Sequence, residues 1–217
     1  MEMITGKTTR DINEAEFKRW IEKYSHVSVD IGTGDGQFVL HQARSTPGRF
    51  YIGIDACREN LVHSARRAPD NALFVIANAL SLPGELAQTA GKVTINFPWG
   101  SLLEGLLAPH ADLLGGLACL AKRGAALEVR LNGGALAEAG CDLTDGSRRV
   151  QSSLESAGFR IKWVQHIDSP GLRACPTTWA KRLAFGRSPV AVLLSGSRAF
   201  PPTGPAAWRS CYNETYD

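Results

Sequence analysis

The sequence predicts an α/β fold: a mostly parallel sheet of seven strands whose last strand is antiparallel. Three observations carry that prediction. Apolar runs of strand length alternate with helix-length stretches from residue 27 onward, the order that builds a parallel sheet with helices on both faces. A glycine-rich turn, Gly32-Thr33-Gly34-Asp35-Gly36, follows the first buried run directly. The last strand-like run has no crossover helix of its own, which makes it antiparallel to its neighbours.

In chain order, residues 3–10 read as an extended lead-in or a hairpin. Asn13 then caps a helix running to residue 24, with Glu16 as its capping-box partner and Phe17, Trp20 and Ile21 as its apolar stripe. Strands are predicted at 27–31, 50–55, 73–77, 92–96, 125–131, 160–166 and 190–195. Helices are predicted from the glycine turn to residue 44, over 59–68, in apolar segments up to residue 121, and over 150–157. Residues 168–187, between the last two strands, read as a long loop, and a loop of that length in a compact domain usually carries function. The expected organisation is one domain over residues 1–199 with an N-terminal extension (1–12), followed by a disordered tail over 200–217.

A chain of 217 residues, 44% of them apolar, can bury a substantial core. The net charge of +3 decides little, but residues 148–209 hold 10 Lys/Arg against 2 Asp/Glu. A polyanion partner and a solvated Arg-rich surface both account for that bias. Cys57, Cys119, Cys141, Cys175 and Cys211 are scattered, with no CxxC pair and no metal-like spacing to His. This predicts reduced thiols, a cytoplasmic protein and no metal. The N-terminus lacks an apolar signal core, and the longest apolar stretch, residues 113–121, is too short to span a bilayer, so no membrane role is expected.

Alternating glycines after a buried strand let a ligand approach the backbone closely, and this GxGxG differs from the GxGxxG of dinucleotide sites. Asp55, at the end of the next strand, is placed to accept both ribose hydroxyls of a nucleoside; an ordinary loop Asp is the competing account. Asp35 could hold an ammonium group, and its charge near a helix start argues against phosphate. Asn96-Phe97-Pro98-Trp99-Gly100-Ser101 follows the fourth strand on the edge that faces the ligand crevice. Trp99 could stack on a base there or lie under the turn as core. A second tryptophan lies in Thr177-Thr178-Trp179-Ala180-Lys181-Arg182-Leu183-Ala184-Phe185-Gly186-Arg187. Aromatic plus Lys/Arg suits an RNA surface, and a short helix packing its Trp on the sheet is the alternative. The five histidines are scattered and read as structural, so catalysis is expected to come from positioning.

Taken together, these residues resemble the aminoglycoside-resistance 16S rRNA methyltransferases that modify N1 of adenine 1408 in the decoding site. The resemblance runs over about residues 4–197. It rests on residues 30–36, Tyr51-Ile52-Gly53-Ile54-Asp55, Glu59-Asn60-Leu61, Phe97 to Ser101 with Leu102-Leu103, and above all the block 179–187. It implies the Rossmann-like, seven-stranded class I fold, S-adenosylmethionine as cofactor, and 16S rRNA in the assembled small (30S) subunit as substrate of a monomeric enzyme. The implied cofactor site holds Asp30, Gly32, Thr33, Gly34, Asp35, Gly36, Asp55, Ala79 and Leu80. It also takes in Asn96, Phe97, Pro98, Trp99, Gly100 and Ser101, with Thr177, Thr178 and Trp179. Trp99 and Trp179 would sandwich a flipped adenine. Phe97, Pro98 and Thr177 complete the implied catalytic set, Thr177 by ordering the segment that carries Trp179. Arg66, Arg67, Lys181, Arg182 and Arg187 would contact RNA. Leu80 stands where a polar residue is expected, and Asn96-Phe97-Pro98-Trp99 also looks like the (N/D)PP(Y/F) motif of amino-group methyltransferases, which leaves the target atom open. The rivals are a tRNA guanine-N7 methyltransferase and a non-catalytic RNA-binding module on the same fold.

Overall fold

In the computed structural model, which describes residues 1–186 and 189–199, the chain opens on a β-hairpin. Strand β1 (Glu2–Thr5) turns at Gly6, left-handed at φ 63°, into β2 (Thr8–Asp11). Strands and helices then alternate: α1 (Glu14–Ile21), β3 (His26–Ile31), α2 (Gln37–Ser45), β4 (Arg49–Asp55), α3 (Arg58–Ala65), β5 (Ala72–Ile76) and β6 (Ala90–Asn96). Helices α4 (Gly100–Leu107) and α5 (Ala111–Leu120) lead to β7 (Ala121–Asn132). The chain continues through α6 (Gly133–Glu138), α7 (Leu143–Ser156), β8 (Phe159–Ile167), α8 (Ser169–Ala174), α9 (Thr178–Ala184) and β9 (Ala191–Arg198).

The strands form one sheet in the order β2-β1-β5-β4-β3-β6-β7-β9-β8. The run β5-β4-β3-β6-β7 is parallel, and β9 is antiparallel to both β7 and β8. The α/β class and the antiparallel last strand are as the sequence predicts. The count is nine rather than seven because β1 of the opening hairpin joins the edge of β5, at Met3↔Val75 and Ile4↔Phe74. The two-residue period of β4 sorts its side chains between layers. Phe50, Ile52 and Ile54 face the larger core, with α4, α5 and α7, whereas Tyr51 faces a smaller one with Val39, Leu40, Leu61 and Phe74. No helix among the described residues is long and apolar enough to cross a membrane.

Four local expectations are corrected. Residues 168–187 are not a loop in their described part but carry two short helices. Asp168 caps α8 and Thr177 caps α9, each side chain accepting from a backbone N–H three residues on (Gly171 and Ala180). Helix α7 starts well before residue 150, at Leu143, because Asp142 caps it. Gly146 keeps its first turn close to α6: a Cβ there would lie 2.5 Å from Leu136. Asn13 caps α1 as expected, but the Glu16 side chain pairs with Arg10 instead of closing a capping box. Of the cysteines, Cys57, Cys141 and Cys175 are free thiols and Cys119 is disulfide-bonded, since spacing in sequence does not report which sulfurs meet in space. The tail over 200–217 lies outside the described residues.

Gly36 begins α2 as its N-cap at φ 71°, and a Cβ there would sit 2.5 Å from the Phe74 ring and 2.9 Å from Ser64. Left-handed strain and overpacking against a fully buried ring act together. Gly36→Ala is therefore expected to destabilise the fold by about 3 kcal/mol in denaturant unfolding.

Candidate active site

The C-terminal ends of β3, β4, β5 and β6 open into one cleft of about 530 Å³, a volume suited to a small cofactor. Asp30, Gly32, Thr33, Gly34 and Asp35 form its floor after β3, and Asp55, Ala56 and Asn60 one rim after β4. Ala77, Asn78 and Ala79 follow β5, and Asn96, Phe97, Pro98, Trp99 and Ser101 follow β6. Thr177, Thr178, Trp179 and Arg182 close it from α9. Each of these four parallel strands thus delivers its first post-strand residues to the same side, as an open α/β sheet dictates. Gly32 and Gly34 are left-handed, at φ 67° and 57°, and the space in front of Gly34 is empty.

Three residues expected at the cofactor lie off the cleft. Gly36 packs beneath Phe74, Leu80 packs toward Gly105 of α4, and Gly100 is exposed at the start of α4. Arg66 and Arg67 sit exposed at the end of α3, away from the lining, and Lys181 is exposed on α9. Arg187 lies outside the described residues. Conversely, Phe38, Ala77 and Asn78 line the cleft without having been singled out, and Asn60 and Leu102, noted only as marks of the resemblance, line it too. For Ala77 and Asn78 the signal was present: they are the first residues after a parallel strand.

The electrostatic centre is Asp30, 3% exposed at the end of β3. Its Oδ1 accepts from Thr94 Oγ1 at 2.6 Å and from Asn96 Nδ2 at 2.7 Å. Burial pushes its carboxyl up to about 6, against the opposing pull of those hydrogen bonds and of the Arg130 charge. The chain of contacts continues outward. Arg130 donates to Asn96 Oδ1 at 2.9 Å and to Glu128 at 2.8 Å, and Lys92 pairs with Glu128 at 2.5 Å. Burial alone would raise Glu128, but Lys92 and Arg130 together hold it below the usual carboxylate range. Asp55 serves its own loop, accepting from the N–H of Gly34 at 2.8 Å and of Cys57 at 2.9 Å. Asp35 accepts from Thr178 across 143 residues of chain.

Both ends of the Asn96 amide are occupied, the amino group on Asp30 and the oxygen on Arg130. An asparagine that assists an amino-group methyltransferase accepts a hydrogen from the substrate amine, and here Arg130 takes up one of the two lone pairs of that oxygen.

Residues 80 apart in sequence meet at the mouth of the cleft. The rings of Trp99 and Trp179 are 5.4 Å apart at 31°, and the Arg182 guanidinium lies 5.4 Å over the Trp179 ring. Trp179 is 43% exposed, whereas Trp99 is partly buried against the large core, with an indole N–H that has no partner among the described residues. Phe97 ties the two walls together. It is left-handed at φ 54°, its N–H donates to the Arg130 carbonyl at 2.8 Å, and its ring is buried with Leu172 of α8 and Ala180 and Ala184 of α9.

The cleft fits a cationic nucleoside: a buried carboxylate short of positive charge, a second acid at the rim, and a glycine backbone that a ligand can approach. With the sheet order, this defines a Rossmann-like S-adenosylmethionine-dependent methyltransferase. A family model described as NpmA, 16S rRNA (adenine(1408)-N(1))-methyltransferase, matches residues 2–198, and the chain belongs to that family. A relative from Escherichia coli, named 16S rRNA (adenine(1408)-N(1))-methyltransferase, is 36% identical over 86% of this chain and 94% of its own. The crystal structure of the 16S rRNA methyltransferase KamB matches with a TM-score of 0.83 at 27% identity, over 92% of this chain and 100% of its own. A mutant of the Catenulisporales acidiphilia 16S rRNA (adenine(1408)-N(1))-methyltransferase, solved with its cosubstrate SAM, matches with a TM-score of 0.80 at 26% identity, over 94% and 99% of the two chains. Family membership sets aside the tRNA guanine-N7 and non-catalytic alternatives.

Two outcomes follow from the acids. In the folded protein Asp30 releases its proton near pH 6, whereas its ordinary value is 3.8. The folded state thus holds an extra proton between those values, so stability falls as pH rises from about 4 to 6 and this group has no further effect above. Asp30→Asn cannot titrate. Its stability relative to wild type in denaturant unfolding is expected to improve steadily across that window and then level off. Asp55→Ala is expected to weaken S-adenosylmethionine binding at least about tenfold by calorimetry, with Asp55→Asn affected less.

Proposed function

We propose that this protein methylates N1 of adenine 1408 in 16S rRNA within the assembled 30S subunit, acting as a cytoplasmic monomer, and that the modification confers aminoglycoside resistance. The observation that carries the proposal is the indole pair at the mouth of the cleft, flanked by Arg182 and continuous with the acidic cradle. The catalytic domain spans residues 1–199.

When bound, S-adenosylmethionine supplies a methyl group on a positively charged sulfur. Asp55 takes the ribose hydroxyls, and Asp30 and Asp35 provide negative charge for the cationic end. Adenine N1 carries a free lone pair at neutral pH, so no side chain need remove a proton before attack. The protein's task is alignment, and Trp99 and Trp179 perform it by stacking on both faces of the flipped base. Two stacking contacts span about 7 Å between ring planes, so the 5.4 Å pair must part to admit the base. Helix α9 is the wall that moves, because Trp179 is half exposed while Trp99 is packed on the core. Arg182, with Arg66, Arg67, Lys181 and Arg187, contacts RNA phosphates. A positive charge and a methyl on the Watson–Crick edge then spoil aminoglycoside recognition.

Primer extension on treated 30S subunits tests this directly, with a single stop at adenine 1408 expected. A stop elsewhere, or equal modification of naked 16S rRNA, would overturn the target or the substrate state. Trp179→Ala is expected to abolish most methylation while melting near wild type. Trp99→Ala will also lose stability, so Trp99→Phe, which keeps a stacking face, is the cleaner probe and should retain partial activity with S-adenosylmethionine affinity unchanged.

A further inference from the structure

One residue beside the cleft is left unexplained by the fold and by the mechanism above. Phe185 follows the last turn of α9 and is 80% exposed, more than any other exposed large hydrophobic side chain among the described residues. It belongs to none of the three apolar clusters, although its neighbours Leu183 and Ala184 pack in the third. Its ring is therefore left to solvent at the end of α9, and a lone exposed phenyl group takes on meaning only from the groups around it.

Its surroundings specify the partner. Residues 169–186 contain no Asp or Glu, whereas Arg173, Lys181 and Arg182 are all exposed there. Lys181 and Arg182 precede Phe185 by four and three positions, so all three side chains emerge from one side of the last turn of α9. A basic surface carrying a bare aromatic ring is suited to single-stranded or unstacked nucleic acid, where phosphates meet the cations and a base meets the ring. Along the helix, Phe185 lies about 9 Å from Trp179. That is roughly two to three stacked bases at about 3.4 Å each.

We propose that Phe185 is an RNA-stacking residue, its ring lying against a base of the substrate RNA that flanks the adenine entering the cleft. Extruding a nucleotide leaves its neighbours with an uncovered face. An aromatic ring can cover such a face whatever the base, which offsets part of the cost of extrusion. The proposal rests on the reading that α9 faces RNA, and the experiment separates the two.

Steady-state methylation of 30S subunits is measured for wild type, Phe185→Ala, Phe185→Leu, Phe185→Trp and Arg182→Ala at several salt concentrations, with melting temperature and S-adenosylmethionine affinity determined alongside. Phe185→Ala is expected to lower kcat/KM about tenfold, with melting and cofactor affinity unchanged. Phe185→Trp should restore activity and Phe185→Leu should not, because leucine is apolar but has no π face. The salt dependence of kcat/KM should keep its slope in Phe185→Ala, since stacking releases no counterions, and should become shallower in Arg182→Ala. Full activity in Phe185→Ala, a lowered melting temperature in that variant, or full rescue by leucine would each overturn the stacking role. If Arg182→Ala is also fully active, then α9 does not face RNA and the proposal falls with that reading.

Discussion

A carboxylate that is buried must be hydrogen-bonded, and most of the active site is arranged around meeting that demand for Asp30. Thr94 and Asn96 of β6 satisfy it directly, and Arg130 of β7 satisfies Asn96 in turn. Side chains from three adjacent parallel strands are thereby locked to one another at the edge where the cofactor cleft opens. Removing Asp30 or Arg130 leaves an amide group of Asn96 without its partner, which typically costs more than the contact contributed. The arrangement also places a carboxyl beneath the cleft that faces Arg130 only through Asn96.

From that locked edge, positioning passes to the mouth of the cleft through Phe97. Arg130 holds this segment at two successive residues, its guanidinium on Asn96 and its carbonyl on the Phe97 N–H. The left-handed backbone at Phe97 directs its ring away from the sheet core and under α8 and α9. Trp99, two residues on, forms one wall, while Trp179, borne by the helices resting on Phe97, forms the other. The polar network around Asp30 and the pair of indoles at the cleft mouth are thus joined through the strained Phe97.

How much of this could be seen in the sequence differs by residue type. The glycine turn, Asp55 and the Asn96–Trp99 segment were visible because strand ends in a parallel sheet converge, so position along the chain gives position in space. Gly36 shared the motif but not the role: its missing side chain makes room for Phe74, a contact that spacing cannot report. A hairpin was one of the two readings of residues 3–10, but its joining of the main sheet was hidden because β1 pairs with β5 far along the chain. Helices α8 and α9 are of six and seven residues, too short to show a period; their local signals were the caps Asp168 and Thr177 and Pro170 in the first turn of α8, and a short helix around Trp179 stood only as the alternative reading. The engagement of Asn96 by Arg130, 34 residues later, depends on strand adjacency and had no sequence signature.

The closed tryptophan pair also bears on selectivity. Two unpaired indoles at an open mouth would adhere to any frayed nucleotide that the enzyme encountered. Because the rings already rest on each other, a base entering as proposed would have to displace a contact of about 0.5–1.5 kcal/mol before gaining its own. That would set a threshold which a stray single-stranded segment does not cross by stacking alone. A substrate that also engaged the surrounding cations, and so docked before its base turned out, would cross it.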